Sequence, residues 1–342
     1  KNFWKNKKVL ITGHSGFKGS WLVIWLHRLG AKVSGISLPP LTSPNLYSLA
    51  DINNICNCKF IDICNLEALK TAIGLIQPDI VIHMAAQPLV RKSYKDPINT
   101  LSVNILGTAN VLESIRSCNS IKTAIMITTD KVYKNNEDGR SYVESDPLGG
   151  HDPYSASKSA QDIIAQSYGF SFFQNSKMII LRSGNIIGGG DWAENRIIPD
   201  IVTSYLNRNV LKLRSINSTR PWIHIFDVIN AILLILTKKI KSNQSLIFNL
   251  SPKLKKQISV NKIINLILKN TPIQKLKIKK IKNTIKEKKY LHISSNKAEN
   301  KLSWNTKLDL KNALKLTIKF YLLSKDKIYG EAVNQINNYS KT

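Results

Sequence analysis

The stretch TGHSGFKG, residues 12–19, places glycines at three-residue intervals between an apolar run and a helical pattern. The apolar run KKVLIT (7–12) is typical of a short buried strand, and the segment 17–30 has apolar residues at helical spacing and ends at a glycine. A glycine loop in this position turns backbone amides at the helix start toward a phosphate. The stretch therefore predicts a dinucleotide site at the end of the first strand of a parallel sheet.

Each glycine of this loop has a separate predicted task. Gly13 permits the tight turn, Gly16 lets the backbone approach a pyrophosphate, and Gly19 lets the helix pack closely on the strand. Phe17 and Lys18 lie between them, and the Lys18 ammonium can reach a diphosphate or a 2′-phosphate. We therefore predict that these loop residues contact the cofactor.

Strand-like and helix-like segments alternate outward from the loop. Further strands are predicted at 32–37, 59–63, 79–85, 123–130, 177–188 and 245–251, and further helices at 65–78, 98–117 and 154–170. Short, continuously apolar strands are buried on both faces, as in a parallel sheet covered by helices. The pattern predicts an α/β fold, a doubly wound parallel Rossmann sheet with a smaller α/β substrate-binding lobe.

The predicted domains are interleaved along the chain. Residues 1–185 plus about 223–251 form the cofactor-binding domain, and about 186–222 plus 252–335 form the lobe. Ligands of such sheets bind at the carboxyl ends of the strands.

The 342-residue chain has a net charge of +28, concentrated toward its end. From Lys238 onward there are 25 lysines, five acids and no arginine, and KLKIKKIKNTIKEKK (275–289) alternates lysine with isoleucine. A nucleic-acid surface favours arginine and interleaved aromatic residues. We therefore expect no nucleic-acid partner, an amphipathic strand with a solvated face at 275–289, and a general attraction for small anions.

The cysteines and the apolar runs indicate which metal sites and membrane segments the protein can have. The four cysteines (Cys56, Cys58, Cys64 and Cys118) lack the second ligand pair of a zinc site, so buried reduced thiols and no metal are expected. The run AILLILT (231–237) is too short to span a bilayer. The chain start is typical of a strand rather than a signal peptide. These features predict a cytoplasmic protein without membrane insertion.

The stretch DPYSASK (152–158) supplies Tyr154 and Lys158, four residues apart and so on one face of a helix. A free tyrosine has a pKa near 10. A nearby ammonium and a nicotinamide cation would lower the tyrosine pKa, so the phenolate can accept a proton from a substrate hydroxyl. Thr129 follows a predicted strand and is expected to hydrogen-bond the reacting oxygen.

The glycine spacing, Thr129, Tyr154 and Lys158 together resemble the extended short-chain dehydrogenase/reductase superfamily. The resemblance covers almost the whole chain. It implies NAD, with Asp62 and Ile63 at the adenine and Ala85 and Ala86 after the fourth strand also contacting the cofactor. Residues 37–40, SLPP, carry neither an acid for a ribose 2′-hydroxyl nor an arginine for a 2′-phosphate, so NADP stays open.

The stretch TTDKVY (128–133) resembles sugar-nucleotide 4,6-dehydratases, in which Thr-Asp-Glu is common. With RSGNIIGGGDWAENRIIPD (182–200), RPWIHIFDV (220–228) and ISSNKAENKLSW (293–304), it resembles the CDP-glucose 4,6-dehydratase branch, whose usual form is Thr-Asp-Lys. This resemblance implies C4 oxidation of CDP-D-glucose, water loss across C5 and C6, and hydride return to C6. It also implies a place in deoxysugar or O-antigen lipopolysaccharide biosynthesis.

The same resemblance assigns the remaining site residues. Asp130 would be the acid, and Lys131 either the C5 base or a charged group that stabilises the enolate. The residues implied near the substrate are Gln87, Asn185, Arg196 and Arg220. The Arg220 guanidinium suits a diphosphate.

Several alternatives stay open at this point. A sugar-nucleotide epimerase would share the fold, the cofactor and Tyr154 without needing Asp130. A non-catalytic, nucleic-acid-associated protein is a more remote alternative. A homodimer or higher homo-oligomer is expected, with the helices at 98–117 and 154–170 forming a four-helix bundle with their copies. The sequence does not reveal the nucleotide base.

Overall fold

The protein is described as a computed structural model. The structure describes residues 3–173, 176–238, 240, 246–253, 258–282, 285 and 288–341.

A seven-stranded sheet forms the centre of the molecule, and all its strand pairs are parallel. Its strands are β1 (Lys8–Thr12), β2 (Lys32–Ser37), β3 (Asn57–Phe60), β4 (Ile80–His83), β5 (Thr123–Ile127), β6 (Lys177–Ser183) and β10 (Leu246–Leu250). Their order is β10-β6-β5-β4-β1-β2-β3. The order reverses beside β1, so the glycine loop that follows β1 opens at the switch point of the sheet.

Within the described ranges, thirteen α-helices lie around this sheet and in the adjoining lobe. They are α1 (Phe17–Arg28), α2 (Leu46–Leu49), α3 (Leu66–Ile76), α4 (Val90–Lys95), α5 (Pro97–Leu101), α6 (Gly107–Arg116), α7 (Pro153–Phe172), α8 (Ile197–Leu206), α9 (Ile225–Thr237), α10 (Val260–Asn270), α11 (Asn296–Leu302), α12 (Leu310–Tyr321) and α13 (Ile328–Lys341).

Apolar side chains fill both faces of the sheet. On one face, Trp21 of α1 and Phe226 of α9 pack against strand residues such as Ile11. On the other face, Val111 of α6 packs with Leu10 and Val81. Burial on both faces explains why the strands are continuously apolar. The predicted α/β doubly wound fold is confirmed.

The predicted strand 177–188 is two strands in the structure. β6 ends at Ser183, and β7 (Asn185–Ile187) pairs instead with β9 (Trp222–His224) in a separate parallel sheet. Gly184 lies at the change, where an added Cβ would be 2.4 Å from Cγ of Pro221. The chain can leave the main sheet here because glycine presents no side chain to Pro221.

The predicted helix 98–117 is also divided. Between α5 and α6 the backbone forms a π-helical segment, Ser102–Leu106. A π-helical turn widens the helix and turns its side chains relative to the α-helical pattern. Asn104 of this segment consequently faces the protein interior and is fully buried.

The lobe contains a third apolar cluster, built around α8, α10 and α12. A small parallel pair, β8 (Leu211–Leu213) with β11 (Ile278–Lys280), lies beside it. All of β11 is exposed, which agrees with a solvated face for that part of the predicted 275–289 strand. Residues 283–284 and 286–287 lie outside the described residues.

The segment after residue 295 contributes to two cores. Residues of α12 pack in the lobe, whereas Trp304 and α13 residues such as Ala332 and Ile336 pack with the sheet beside α1. The segment predicted to belong to the lobe, which ends at about residue 335, therefore includes residues that pack with the sheet. The domain division itself stays a prediction.

Two further predictions concern membrane-spanning helices and the burial of the cysteine thiols. Over the described ranges, no helix combines the length and apolarity needed to cross a bilayer. Cys56 and Cys118 are buried, whereas Cys58 and Cys64 are only partly buried, and all are free thiols. The expectation that all cysteines are buried is therefore wrong for Cys58 and Cys64.

Candidate active site

A cleft of about 970 Å³ opens at the carboxyl ends of β1, β4, β5 and β6, between the sheet and the lobe. Parallel strands bring the loops that follow them to one edge, so residues distant in sequence meet there. The predicted site residues that line the cleft are Gly13, Gly16, Phe17, Lys18, Gly19, Asp62, Ile63, Ala85, Ala86, Thr129, Lys131, Tyr154, Lys158, Asn185, Arg196 and Arg220.

The glycine loop fits a phosphate-bearing cofactor. Gly13 has a φ of +79°, and an added Cβ would lie 2.7 Å from the Ala85 nitrogen; a Cβ on Gly19 would lie 2.1 Å from the Gly13 carbonyl oxygen. A Cβ on Gly16 would meet only the Gly13 oxygen, at 3.5 Å. Gly13 and Gly19 are thus required by the packing of the chain, whereas Gly16 keeps the cleft side open.

The start of α1 has amides available for an anion. Gly16 is its N-cap residue and provides no side-chain cap, and the first turn has no acidic side chain. Such a helix start favours bound negative charge through its free N–H groups and its dipole. The residues present therefore fit the pyrophosphate of a dinucleotide.

Tyr154 and Lys158 lie on α7, whose first turn is fixed by Asp152 as N-cap. The Ser93 hydroxyl accepts a hydrogen bond from the Tyr154 backbone N–H at 3.1 Å, which ties this turn to α4. Lys158 Nζ donates to the Gln161 side chain and, at 3.5 Å, to the Ile127 carbonyl at the end of β5. Both side chains face the cleft.

Burial dominates the electrostatics of both groups. It raises the pKa of Tyr154 to about 12, while the positive charge of Arg196 acts in the opposite direction. Burial lowers the pKa of Lys158 to about 7, and the nearby Lys18 ammonium lowers it further. A lowered pKa was expected for Tyr154. The protein groups alone do not produce it, because desolvation disfavours the charged phenolate.

Thr129, Asp130 and Lys131 form the turn after β5. The Thr129 hydroxyl donates to Asp130 Oδ1 at 2.9 Å, and Lys131 Nζ lies 3.4 Å from the same oxygen. The Asp130 side chain is fully buried, whereas that of Lys131 is 26% exposed. Asp130 is not among the residues that line the cleft, so its carboxyl group lies behind Thr129 and Lys131.

One carboxyl oxygen of Asp130 stands out. Within the part of the chain that the structure describes, Oδ2 is buried without a hydrogen-bond partner. A buried carboxylate oxygen in this state is costly, which favours a movement of the Asp130 side chain toward a ligand.

The lobe contributes arginines to the opposite wall. Arg196 Nη1 donates to Asp191 Oδ2 at 2.6 Å, and its side chain remains 33% exposed. Arg220 donates to the carbonyls of Thr219 and Lys289 at 2.8 and 3.3 Å. Asn185, at the start of β7, lies beside them along the cleft.

Gln87 does not join this set. Its amide nitrogen donates to the Thr100 hydroxyl at 2.8 Å and to the Leu89 carbonyl at 3.1 Å, and its amide oxygen accepts from the Leu89 N–H at 2.7 Å. These bonds hold the amide inside the loop after β4, away from the cleft lining.

Asn104 is a supporting residue that the sequence motifs did not reveal. Its side chain bonds both backbone groups of Gln87, at 2.8 and 3.1 Å, and donates to the Ser157 hydroxyl at 2.9 Å. It therefore joins the loop after β4 to the helix that carries Tyr154. Only its position in the π-helical segment brings it there, and no local signal marks that segment.

Two further residues near the site were also missed. Arg91 of α4 lines the cleft. His292 has Nε2 3.0 Å from the Thr219 hydroxyl, and burial, followed by the Arg220 charge, lowers its pKa, with the Asp130 charge acting in the opposite direction. His292 immediately precedes ISSNKAENKLSW (293–304), so its neighbourhood, although not its role, was indicated by the sequence.

The model of the NAD dependent epimerase/dehydratase family matches residues 9–251. The chain belongs to this family. The matched segment includes the glycine loop, the turn after β5, the start of α7 and both lobe arginines, whereas His292 lies outside it. The family resemblance expected from the motifs is confirmed.

The relatives include one match over nearly the full length of both chains and one partial match. The CDP-glucose 4,6-dehydratase of Salmonella typhimurium is 36% identical over 94% of this chain and 92% of its own length. The dTDP-D-glucose 4,6-dehydratase of Dictyostelium discoideum is 34% identical over 68% of this chain and 56% of its own length.

Solved structures share the fold of this family member. The UDP-glucose 4-epimerase of Thermotoga maritima, solved with UDP-glucose, has a TM-score of 0.81 at 22% identity, over 92% of this chain and 98% of that one. A dTDP-glucose 4,6-dehydratase of Streptomyces venezuelae, solved with NAD and TYD, has a TM-score of 0.79 at 22% identity, over 92% and 96%.

Proposed function

We propose that the protein is an NAD-dependent hydro-lyase that converts a nucleotide hexose, in the first instance CDP-D-glucose, to its 4-keto-6-deoxy derivative and water. The observation that carries the proposal is the placement of Thr129, Asp130 and Lys131 at the end of β5, beside Tyr154. The relative with this activity named in its description matches almost the whole chain. A role in deoxysugar biosynthesis follows from that product.

The cofactor would lie along the glycine loop. When bound, NAD supplies the acceptor, and later the donor, of the hydride that leaves C4 and returns to C6 of the sugar. The amides at the start of α1 and the open side of Gly16 suit its pyrophosphate, and Asp62, Ile63, Ala85 and Ala86 line the adjoining wall. NADP stays open, because no acid follows β2.

Tyr154 acts on the sugar hydroxyl at C4. Its phenolate would accept the hydroxyl proton while Thr129 holds the reacting oxygen. Lys158 supports the phenolate when charged. With its pKa lowered to about 7 by burial and by Lys18, this lysine is charged in only part of the population at neutral pH.

Asp130 and Lys131 act at C6 and C5 of the sugar. We assign Asp130 as the acid that protonates the hydroxyl leaving C6, and Lys131 as either the base at C5 or the cation that stabilises the enolate. Because the Asp130 side chain is fully buried, its carboxyl group must rotate toward the cleft to meet the sugar.

The lobe would hold the nucleotide. Arg196 and Arg220 face the cleft opposite the glycine loop, and guanidinium groups match phosphate oxygens with paired donors. Arg196 would exchange part of its pairing with Asp191 for the substrate diphosphate. Asn185 would contact the sugar, whereas the role implied for Gln87 becomes support of the loop after β4.

A homodimer belongs to this proposal. Exposed apolar side chains lie on the predicted bundle helices, among them Ile98 at 72%, Leu106 at 54%, Ile163 at 54% and Phe170 at 71%. Such a face suits pairing with a second copy. A cytoplasmic location and the division into a cofactor domain and a lobe also stay proposals.

The test is a panel of CDP-, dTDP-, UDP- and GDP-hexoses incubated with the protein and NAD, followed by mass spectrometry. Loss of one water from CDP-glucose is expected. A product of unchanged mass with inverted C4 would indicate an epimerase instead. No conversion of any sugar nucleotide, with binding to nucleic acid that weakens steeply with salt, would support the non-catalytic alternative.

A matched variant tests the acid. Asp130→Asn should stop water loss while C4 oxidation, followed by absorbance of reduced NAD, persists. Water loss at the normal rate in this variant would show that Asp130 is not the acid.

A further inference from the structure

A buried ion pair lies behind the turn after β5. Arg182, on β6, donates from Nε and Nη2 to the two carboxylate oxygens of Asp162, on α7, at 2.9 and 2.7 Å. The two side chains are 1% and 0% exposed. Removing two charges from water is costly, so a buried pair of this kind is weak evidence of a gain in stability. Neither residue is among the described residues that line the cleft, so any effect on the reaction has to pass through other groups.

The ion pair is bonded to both ends of the turn after β5. The Thr128 hydroxyl donates to Asp162 Oδ2 at 3.0 Å. Arg182 Nη1 donates to the Tyr133 hydroxyl at 2.9 Å, and the guanidinium lies 5.0 Å from the centre of the Tyr133 ring. Residues 129–132, which include the proposed acid, therefore lie between two attachments to one ion pair.

The same pair connects the turn with the helix that carries Tyr154. Asp162 follows Lys158 by four residues and Tyr154 by eight, so all three lie along one side of α7. The hydroxyl of Ser159, on this helix, also donates to the Val132 carbonyl at 2.8 Å. The bonds between α7 and the turn thus determine how far the groups that act at C5 and C6 lie from the group that acts at C4.

Contacts inside the turn do not determine this distance. The Thr129 hydroxyl and Lys131 Nζ both contact Asp130 Oδ1, at 2.9 and 3.4 Å. These contacts fix the three side chains relative to one another, but not relative to Tyr154. The placement of the turn against α7 depends instead on bonds to other elements, and those of the ion pair reach both of its ends.

We propose that the Arg182–Asp162 pair positions the turn after β5 against Tyr154, so that oxidation at C4 and water loss across C5 and C6 take place on one bound sugar. This inference rests on the proposed function. A buried polar network with all its bonds made holds its members in a single arrangement, and small displacements of reacting groups slow catalysis strongly. Arg182 and Asp162 are therefore positioning residues.

Loss of the two attachments should affect the two chemical steps unequally. The Thr128 N–H is also bonded to the Leu181 carbonyl at 2.9 Å, so the first residue of the turn keeps its place beside β6 without the ion pair. Thr129, which follows it directly, should move less than Asp130 and Lys131. Water loss should therefore be more sensitive to the ion pair than C4 oxidation is.

The experiment separates positioning from support of the fold. Thr128→Val/Tyr133→Phe removes both attachments and leaves the ion pair, whereas Thr317→Val/Tyr339→Phe removes two other buried hydroxyls, on α12 and α13, as a matched control. Each protein is mixed rapidly with NAD and CDP-glucose under single-turnover conditions. Absorbance of reduced NAD follows C4 oxidation, and mass spectrometry of quenched samples follows water loss. Urea unfolding measures the stability of each variant.

For Thr128→Val/Tyr133→Phe we expect C4 oxidation within about twofold of wild type and water loss at least about tenfold slower, so that reduced NAD accumulates. The control variant should keep the wild-type ratio of the two rates, even if its stability falls. Arg182→Lys is the second variant if the first does not fold. A single ammonium can stay paired with Asp162 but lacks the forked donors that also reach Tyr133, so the same change in the ratio is expected.

Two results would overturn the proposal. A loss shared equally by C4 oxidation and water loss would show that the ion pair only supports the fold. An unchanged rate of water loss in folded Thr128→Val/Tyr133→Phe would show that other contacts place the turn. Absence of any dehydration by wild type would instead refute the proposed function, so the two failures are distinguishable.

Discussion

The two walls of the cleft are fixed in different ways. On the cofactor wall, Gly13 and Gly19 touch neighbouring backbone so closely that neither can carry a Cβ, and Lys158 is only 4% exposed. On the lobe wall, Arg196 pairs with Asp191 and keeps a third of its side chain in solvent. Backbone packing sets the first wall, whereas charges that can exchange partners set the second.

This difference predicts which properties change when residues of each wall are substituted. Changes on the cofactor wall should affect the fold or the chemistry, because packed and desolvated groups have no alternative partners. On the lobe wall, changes that keep the positive charge of Arg196 should mainly affect substrate affinity, because the buried Asp191 carboxylate then keeps a charged partner.

The largest effect is expected for Tyr154→Phe. Loss of the phenol should reduce kcat by about 10³-fold, within the range typical of a general base. The assay is product formation by mass spectrometry, with binding of NAD measured in parallel. Tyr205→Phe, on α8, is the control and should retain kcat. Near-normal turnover of Tyr154→Phe would place the base elsewhere.

Two glycines of the loop allow the effects of packing and of cofactor binding to be measured separately. Gly19→Ala should destabilise the protein by about 1–3 kcal/mol or more, since the added methyl group would overlap the Gly13 carbonyl. Gly16→Ala should leave the unfolding midpoint nearly unchanged but weaken NAD binding about tenfold, equivalent to ~1.4 kcal/mol. Urea unfolding and calorimetric titration measure the two effects. Equal behaviour of both variants would contradict the packing difference.

Lys158 should make stability depend on pH. Its pKa is about 7 in the folded chain, against 10.5 for a lysine in water, so between these values the unfolded chain holds a proton that the folded chain lacks. Stability of the NAD-free protein should therefore rise with pH across this window, by up to about 1.4 kcal/mol per pH unit from this group.

The matching variant is Lys158→Met, in which this contribution to the rise should disappear. Lys315→Met, an exposed lysine of α12, should leave the pH dependence unchanged. The measurement is urea unfolding from pH 7 to 10. An unchanged slope in Lys158→Met would show that Lys158 is charged in the folded protein throughout this range.

The smallest effect is expected on the lobe wall. Arg196→Lys keeps the charge but loses the paired donors, so KM for the sugar nucleotide should rise about tenfold while kcat and the unfolding midpoint change little. Steady-state kinetics and thermal unfolding measure these quantities. A fall in the midpoint without a change in KM would mean that this arginine is structural.

Much of the fold was predictable because its signals are local. The alternation of apolar strands and helices indicated the parallel sheet, and the glycine spacing, Tyr154, Lys158 and Thr129 were recognised from short motifs. Sheet topology then brings these motifs to one edge. For the same reason, most predicted site residues line a single cleft.

The remaining features depend on contacts between distant segments. The orientation of Gln87 is set by Thr100 and Asn104. The complete burial of the Asp130 side chain arises from the folded structure around the turn after β5. The raised pKa of Tyr154 is caused mainly by desolvation, which no local pattern displays. These properties arise only after folding, so sequence motifs did not predict them.

The pairing of β7 with β9 also bears on how substrate preference can be altered. The chain leaves β7 after Ile187 and returns at Trp222 on the directly adjacent strand β9. The segment between them also contacts other elements: the Gly189 carbonyl accepts from Trp21 Nε1 at 2.8 Å, and the Asp191 N–H donates to the Tyr321 hydroxyl at 3.0 Å. A graft of residues 188–221 that aims to change which nucleotide sugar is accepted therefore has to include the partners of this segment on α1 and α12.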